Sequence, residues 1–597
     1  MNRKIERITA SKWAIPMMLT GILYLKSLIL LFSLYEFSVR VLLLSFLSFA
    51  PIFLIASFSF LFEGRRKWMY FVTVDLIFSV LFYADLVYFR GLNQLFSIYV
   101  LFIKNLTFDF GASTGGYFYN IDFIMLIDLP LLFYVTRRSK KLSKNQPSLV
   151  RKESLARKSL FFVTSFTFSF LIMITQFFAV RQTIGMENYE NYALLLSPVG
   201  NHLVNVASYV SDKVRALSEE ENLDIKAWFA ENEKNLEVDP RYEDLYGVLK
   251  GKNIIVIHYE SLEKFVLDSS FYGKEITPNL NKLLDSSISF TVKEQVREGT
   301  SSDTELMFNT GLYPTLKGSA FMSYGENTYF SLPKLLKEEG YATMTIHGDE
   351  AKFWNRDVVY PNLGIDKYVD ESLFEDKRYS GLGILDESLF DQSLKEIEKT
   401  HSPFYSYVMT VTSHTPFNLE EEYRFLGIPG EDADAGYLES MHYTDHYLGE
   451  FYDALEEKGI LENSAIIIFG DHEGIHKYHE SSLPENHGDI PFIVNVPGME
   501  GFEVDQLGGQ IDMLPTLLYL LGVDKDVYSG SVMGSNLLKS DLGSVILPTG
   551  ELFGETEAKE HLMKSGEIAN LIITGNYFAE DPLNEGKVID SSVGRSR

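Results

Sequence analysis

The chain has 597 residues, with 53 Lys and Arg against 81 Asp and Glu and a hydrophobic content of 46%. Residues 1–215 carry 23 basic and 12 acidic side chains and residues 216–597 carry 30 and 69, so a segment of net charge +11 precedes one of −39, which excludes a uniform globular chain. The absence of Cys excludes disulfide scaffolds, thiolate metal sites and a Cys nucleophile, and the acidic bulk excludes nucleic-acid binding through the net field.

In chain order, long apolar runs cover residues 13–35, 41–62, 68–89, 121–136 and 159–180. A helix needs about 20 such residues to cross a bilayer. The fourth run is short and carries Asp122, Asp128 and Pro130, so its assignment rests on the charges around it. Basic residues precede the first run (Arg3, Lys4, Arg7, Lys12), separate the second from the third (Arg65, Arg66, Lys67), and crowd between Arg137 and Lys158, whereas the alternate loops hold Arg40 and Arg90 with Lys104. By the positive-inside rule, the expectation is a five-helix transmembrane bundle, a cytoplasmic N-terminus and an outside location for everything after about residue 181. Within loop 91–120, Leu92, Leu95, Phe96, Tyr99, Val100 and Ile103 fall on one helical face, which fits either an interfacial helix or a packed loop. Lys26, Asp75 and Asp85 lie inside spans, where they pair or snorkel structurally or line a lipid-binding cavity.

Residues 181–250 are polar, include the acidic run Glu219–Glu221, and read as a helical extracellular linker. Beyond residue 251, short apolar segments at 253–259, 342–347, 404–411, 465–470 and 492–496 alternate with amphipathic stretches near 278–287, 331–339, 387–399, 436–458 and 510–521. Such alternation predicts an α/β domain with a mostly parallel central sheet, covered by helices and carrying its ligands at the carboxyl ends of the strands. The expected domains are therefore 1–180, 181–250 and 251–597, with a small C-terminal α+β subdomain from about residue 525.

Reactive side chains cluster where that rule places them. The predicted strands run into His258-Tyr259-Glu260-Ser261, His347-Gly348-Asp349, Ser413-His414 and Gly470-Asp471-His472-Glu473. Acids and imidazoles at successive strand ends point to a metal or hydrolytic site. Thr300, in Arg297-Glu298-Gly299-Thr300-Ser301-Ser302-Asp303, precedes a stretch able to form a helix, where free N–H groups and the dipole suit a phosphoryl oxygen. It is either a nucleophile or, with its Ser neighbours, a helix cap.

The ordered set Glu260, Gly299-Thr300, Phe353-Trp354-Asn355-Arg356-Asp357, Ser413-His414 and Gly470-Asp471-His472 resembles the lipoteichoic acid synthases, Gram-positive membrane enzymes of the alkaline phosphatase and sulfatase superfamily. The resemblance covers essentially the whole chain. It implies a sulfatase-like fold for residues 251–597, a divalent metal held by Glu260, Thr300, Asp471 and His472, and Mn²⁺ as that metal, with Mg²⁺ or Zn²⁺ as alternatives. Two carboxylates, an alkoxide and an imidazole make a hard oxygen and nitrogen donor set compatible with that choice. The resemblance also places Trp354, Arg356 and His414 against glycerol phosphate, with His347 and Asp349 in the pocket wall. Arg356 can fork onto phosphate, and His414 can protonate a leaving alkoxide. His487, before the fifth segment, is more like a residue of the related phosphoethanolamine transferases and leaves open a second metal or another leaving-group contact.

The function so implied is a phosphoglycerol transferase. Thr300 attacks phosphatidylglycerol in the lipid bilayer, and the glycerophospho-threonine is passed to a glycolipid-anchored acceptor or a growing chain. A lipoteichoic acid primase, a phosphoethanolamine transferase and a non-catalytic membrane scaffold are the alternatives. A sulfatase is disfavoured, since no Cys or Ser-x-Pro-x-Arg motif follows Thr300. The expected location is the cell membrane, with the catalytic domain outside and proteolytic release near Val206 and Ala207 left open.

Overall fold

The computed structural model describes residues 13–35, 37–92, 95–96, 119–134, 155–184, 197–212, 215–271, 273–380, 383–430, 432–540, 542–554 and 558–579. These fall into two compact units, one ending before residue 215 and one starting at Arg215.

In the first unit, four helical stretches are long and apolar enough to cross a membrane: Ala14–Leu34, Val39–Leu61, Arg66–Arg90 and Ala156–Gln176. The fifth span expected at residues 121–136 does not form a long helix among the described residues. Asn120–Leu126 is a 3-10 turn and residues 129–134 a short helix beginning beside Pro130. The polar residues of this run explain the break. Asp122 receives a two-pronged contact from Arg90 at 2.6 and 2.7 Å, and Asp128 lies 2.8 Å from Lys26. Lys26 also donates to Asp75 at 2.8 Å and to Ser79 at 2.6 Å, so one buried ammonium serves two carboxylates. Asp85 meets His202 of the Pro198–Asp212 helix at 2.9 Å and accepts the Phe96 N–H at 2.9 Å. The charges inside this apolar unit are thus paired with one another, as their desolvation requires. Tyr99, Val100 and Ile103 of the amphipathic loop lie outside the described residues.

The second unit is built on an eight-stranded sheet. Its strands are β1 (Asn253–Tyr259), β2 (Ser287–Lys293), β3 (Ala342–His347), β4 (Lys367–Val369), β5 (Phe404–Met409), β6 (Ser464–Gly470), β7 (Asp489–Asn495) and β8 (Phe502–Val504), in the spatial order β8-β2-β7-β6-β1-β5-β3-β4. Only β7 runs against its neighbours, so the segment expected at 492–496 is the antiparallel member. Buried on both faces, β1 and β6 are near-continuous runs of Ile and Val rather than alternating ones. The period of two still sorts them: Ile254 and Val256 face one core, while Ile255, Ile257 and Tyr259 face the other. The first core is closed by the helices Ser301–Thr310, Leu332–Glu338 and Met513–Leu520, and the second by Pro278–Leu284, Asp386–Glu398 and Ala433–Glu457.

Residues 219–236 belong to this unit. Ser218 and Glu221 form a reciprocal cap for the Glu219–Asn232 helix, whose Trp228 stacks on His561 at 4.3 Å and donates to its carbonyl at 3.1 Å. The acidic run therefore opens a helix, where carboxylates meet the positive dipole end.

Candidate active site

The parallel register assembles the centre. Tyr259 of β1 pairs with Gly470 of β6, so the next residues outward, Glu260 and Asp471, emerge side by side. Gly470 is required there, because a Cβ would stand 2.1 Å from the Leu262 carbonyl oxygen. The Asp471 Oδ1 accepts the N–H groups of Ser261 and His472, both at 2.8 Å. Its Oδ2 lies 3.1 Å from Nε2 of His258 and 3.4 Å from Nε2 of His472, aligned for a hydrogen bond with neither. Glu260 accepts from the Ser261 hydroxyl at 2.9 Å and stands 3.7 Å from the same His472 nitrogen. All four side chains are at most 5% exposed.

This arrangement can hold a metal ion. The ligand atoms of His258, Glu260 and Asp471 lie within 4.8 Å of one another, and His472 flanks the same two carboxylates. His472 donates Nδ1–H to the Glu473 carbonyl at 2.8 Å, which leaves Nε2 as the lone-pair nitrogen aimed at the carboxylates. Without a cation the paired acids split. Burial and Asp471 push Glu260 well above the usual carboxyl range. In Asp471, burial opposes the charge but His472, His258 and the Ser261 N–H outweigh it and hold the group low. A divalent ion removes that conflict, and the orphaned Asp471 Oδ2 is an acceptor waiting for one. The set of oxygen and imidazole donors fits.

Thr300 caps nothing. It precedes the Ser301–Thr310 helix at φ 42°, a strained conformation for a β-branched residue, and its hydroxyl makes no cap hydrogen bond. Asp303 braces the loop before the helix, accepting the N–H groups of Arg297 and Gly299 at 2.9 Å each. Gly299 must be glycine, since a Cβ would lie 2.0 Å from that carboxylate. Ser302 is committed to Gly299 and Ser319, whereas Ser301 is half-buried. Thr304, one turn on, donates to the Asp471 backbone carbonyl at 2.7 Å, so the first turn of this helix is tied to the strand end that carries Asp471.

The Phe353–Asp357 motif is a tight turn in which Trp354 and Asn355 both take left-handed conformations, at φ 54° and 58°. Asn355 is anchored to the Phe321 carbonyl at 2.9 Å, Trp354 is half-buried, and Arg356 begins a helix (Arg356–Asn362) with its guanidinium 2% exposed. That guanidinium pairs with Glu305 at 2.7 Å through Nη2, while Nη1 is buried without a partner. His347 ends β3 and donates Nδ1–H to the Met409 carbonyl at 3.0 Å. Burial and the Arg356 charge keep it neutral, well below its usual pKa. Burial lifts Asp349 to about 6. His414 donates Nδ1–H to the Thr415 carbonyl at 2.7 Å, and burial lowers its pKa to about 4.

Glu260, Asp471 and His472 therefore meet, and the Ser301–Thr310 helix, which follows Thr300, is bonded to the Asp471 backbone through Thr304 and to Arg356 through Glu305. His487 does not: it is 70% exposed and pairs with Glu485 at 3.2 Å, in a left-handed turn before β7. The sequence placed His258 among the strand-end groups without a ligand role and gave Glu305 no role. His258 was legible as the residue two before Glu260 on the same strand face, and Glu305 as an acid directly before the apolar Leu306-Met307-Phe308.

Residues 1–206 match the lipoteichoic acid synthase N-terminal domain and residues 252–523 the sulfatase domain. Lipoteichoic acid synthase 1 of Bacillus subtilis (strain 168) is 30% identical over 531 residues, spanning 84% of this chain and 80% of its own. Lipoteichoic acid synthase of Staphylococcus aureus (strain NCTC 8325 / PS 47) is 30% identical over 519 residues, spanning 83% and 78%. The crystal structure of a lipoteichoic acid synthase from Listeria monocytogenes is 26% identical, covers 59% of this chain and 98% of its own, and superposes with a TM-score of 0.49. On its relatives and its N-terminal domain, the chain belongs to the lipoteichoic acid synthase family.

Proposed function

We propose that this enzyme moves glycerol phosphate from phosphatidylglycerol, through a glycerophospho-threonine on Thr300, onto a growing lipoteichoic acid chain or a glycolipid anchor at the outer face of the membrane. The observation that carries the reading is the uncommitted Thr300 hydroxyl, strained at the start of a helix whose Thr304 is bonded to the Asp471 backbone. In the first half-reaction the Thr300 oxygen bonds to phosphorus, the bond to the diacylglycerol oxygen breaks, and one proton passes from Thr300 to that oxygen. In the second, the acceptor hydroxyl attacks and Thr300 is regenerated.

Neutral at rest, with Nε2 unprotonated, His414 serves as a shuttle rather than a standing acid. It takes the nucleophile's proton and returns it to the leaving oxygen. Arg356 Nη1, Trp354, His347 and Asp349 line the place of the glycerol phosphate group. A divalent cation, Mn²⁺ in our assignment and Mg²⁺ or Zn²⁺ otherwise, held by Glu260, Thr300, Asp471 and His472, would acidify the Thr300 hydroxyl and screen its approach to an anion.

Residues 1–180 serve as the membrane domain and 251–597 as the extracellular catalytic domain, with 181–250 between them and its part from Arg215 packed on the catalytic unit. The charge pattern supports five crossings, because the basic segment 137–158 and the N-terminus belong on one side only if the chain crosses again between Arg90 and Arg137. The stretch 120–134, with each Asp neutralised by a cation, supplies that crossing.

Full-length protein in vesicles with fluorescent phosphatidylglycerol and Mn²⁺ tests the reading. Diacylglycerol release is expected, with polymer when a glycolipid acceptor is added; a single added unit identifies a primase. Turnover of phosphatidylethanolamine in its place favours the ethanolamine reading, and release of phosphatidic acid sinks the chemistry. Thr300→Ala and Ser301→Ala are compared separately. Loss with the first supports Thr300, whereas loss only with the second moves the nucleophile one residue along.

A further inference from the structure

Glu305 lies on the Ser301–Thr310 helix, five positions beyond Thr300, and is fully buried. Its Oε1 accepts from Arg356 Nε at 3.1 Å and Nη2 at 2.7 Å, and its Oε2 accepts from the Tyr360 hydroxyl at 2.5 Å. Arg356 and Tyr360 stand one turn apart on the helix that follows the left-handed pair Trp354 and Asn355. A single carboxylate therefore ties the helix that begins at the nucleophile to the turn that delivers the arginine.

Two features separate this from an ordinary fold contact. A buried ion pair is a poor source of stability, because desolvating both charges offsets most of their attraction. And Nη1 of Arg356, on a residue 2% exposed, has no acceptor, a cost that persists unless a ligand removes it. The pair is electrically neutral, so what it offers a ligand is one directed N–H rather than net positive charge.

We infer that Glu305 is a positioning and specificity-determining residue. It holds Arg356 so that Nη1 meets a non-bridging phosphate oxygen, and by cancelling the arginine charge it favours a singly charged phosphodiester over a doubly charged phosphomonoester. The inference rests on the transferase reading above. It follows that removing the Glu305 charge misaligns the donor yet leaves an uncompensated guanidinium, which loses turnover and gains affinity for dianions.

The test uses the full chain in vesicles, measuring transfer from phosphatidylglycerol together with competitive inhibition by glycerol phosphate, a monoester, and by glycerophosphoglycerol, a diester. For Glu305→Gln, kcat falls about ten-fold or more while glycerol phosphate binds more tightly and its advantage over the diester grows. Glu305→Met removes the same charge with a side chain of similar volume, moves the same quantities the same way, and carries the test if Glu305→Gln does not fold. Thermal unfolding of each variant is recorded alongside. Equal changes in turnover and in both inhibition constants, or no change in the monoester-to-diester ratio in the folded variants, overturn the inference. If the wild-type protein transfers nothing from phosphatidylglycerol, the functional reading fails instead, whatever these variants do.

Discussion

The hydroxyl of Thr304 donates to the backbone carbonyl of Asp471 at 2.7 Å, fixing the depth at which the Ser301–Thr310 helix enters the catalytic centre. Gln510 donates to the same carbonyl at 2.5 Å, so the oxygen keeps a partner when Thr304 loses its hydroxyl. Thr304→Val, which preserves shape, is expected to cost only about 1 kcal/mol of stability. Its effect on turnover should be larger, a fall of about ten-fold, because sub-ångström placement of a nucleophile governs rate. Thermal unfolding and initial-rate measurements on the same preparation separate the two. An unaltered rate would show that the helix is held elsewhere.

Asp386 braces the segment carrying Ser413 and His414, accepting from the N–H groups of Val411 and Thr412 at 2.9 and 3.3 Å and from the Thr444 hydroxyl at 2.6 Å. Burial raises its pKa to about 6, against hydrogen bonds that act the other way. A carboxyl with a raised folded pKa binds its proton more tightly in the native state. Its share of stability is complete below the unfolded value of 3.8 and is lost as pH rises through about 6. Asp386→Asn never ionises, so its deficit in melting temperature relative to wild type should narrow between pH 4 and pH 7. A constant or widening gap contradicts the assignment.

Lys26 stands between two carboxylates in the apolar unit, with Asp75 wholly buried and one of its oxygens without a hydrogen bond. Lys26→Met leaves those acids uncompensated and should destabilise the unit by about 3–5 kcal/mol. Lys26→Met combined with Asp75→Asn should recover part of that loss. Thermal unfolding in detergent reads both, and equal melting temperatures for the two variants would show that the acids are not coupled through Lys26.

The absence of Cys gives a clean background for mapping the membrane crossings. With five crossings, Cys at position 480, where Glu480 is exposed, reacts with an impermeant maleimide in intact cells, and Cys at position 143 reacts only after permeabilisation. The same accessibility at both positions would rule out a crossing between the basic segment 137–158 and the catalytic unit.

The legible parts of the chain were those in which local sequence and final structure make the same demand. The buried strands β1 and β6 are apolar because both faces are covered, and their ends are chemically distinctive. β2, β4 and β8 were not recognised: Ser287–Lys293 carries the alternation of a strand but lacks the continuous apolar run of the buried strands around it, and the other two span three residues each, too short to show a period. The run Glu219–Glu221 read as part of a helical linker, and Ser218 with Glu221 carries the capping signature of the helix that packs on the second unit. At 121–136 the expected span rested on the charges around the run rather than on its hydropathy, and Asp122 and Asp128 are drawn to cations on other helices, a long-range pairing that no window of sequence contains.

What the sequence determined by itself was chemical inventory: an apolar, basic first third, an acidic α/β remainder, no thiols, and acids and imidazoles placed after apolar strands. These follow from composition and spacing, which the chain carries locally. The tertiary structure decided which of those groups act together. Parallel register sets Glu260 beside Asp471, strand pleat turns His258 toward the same carboxylate, and packing of one helix start frees Thr300 from capping and binds Arg356 to Glu305. Such pairings join residues as far apart in the chain as His258 and Asp471, and their energies depend on burial and direction, which exist only once the chain has folded.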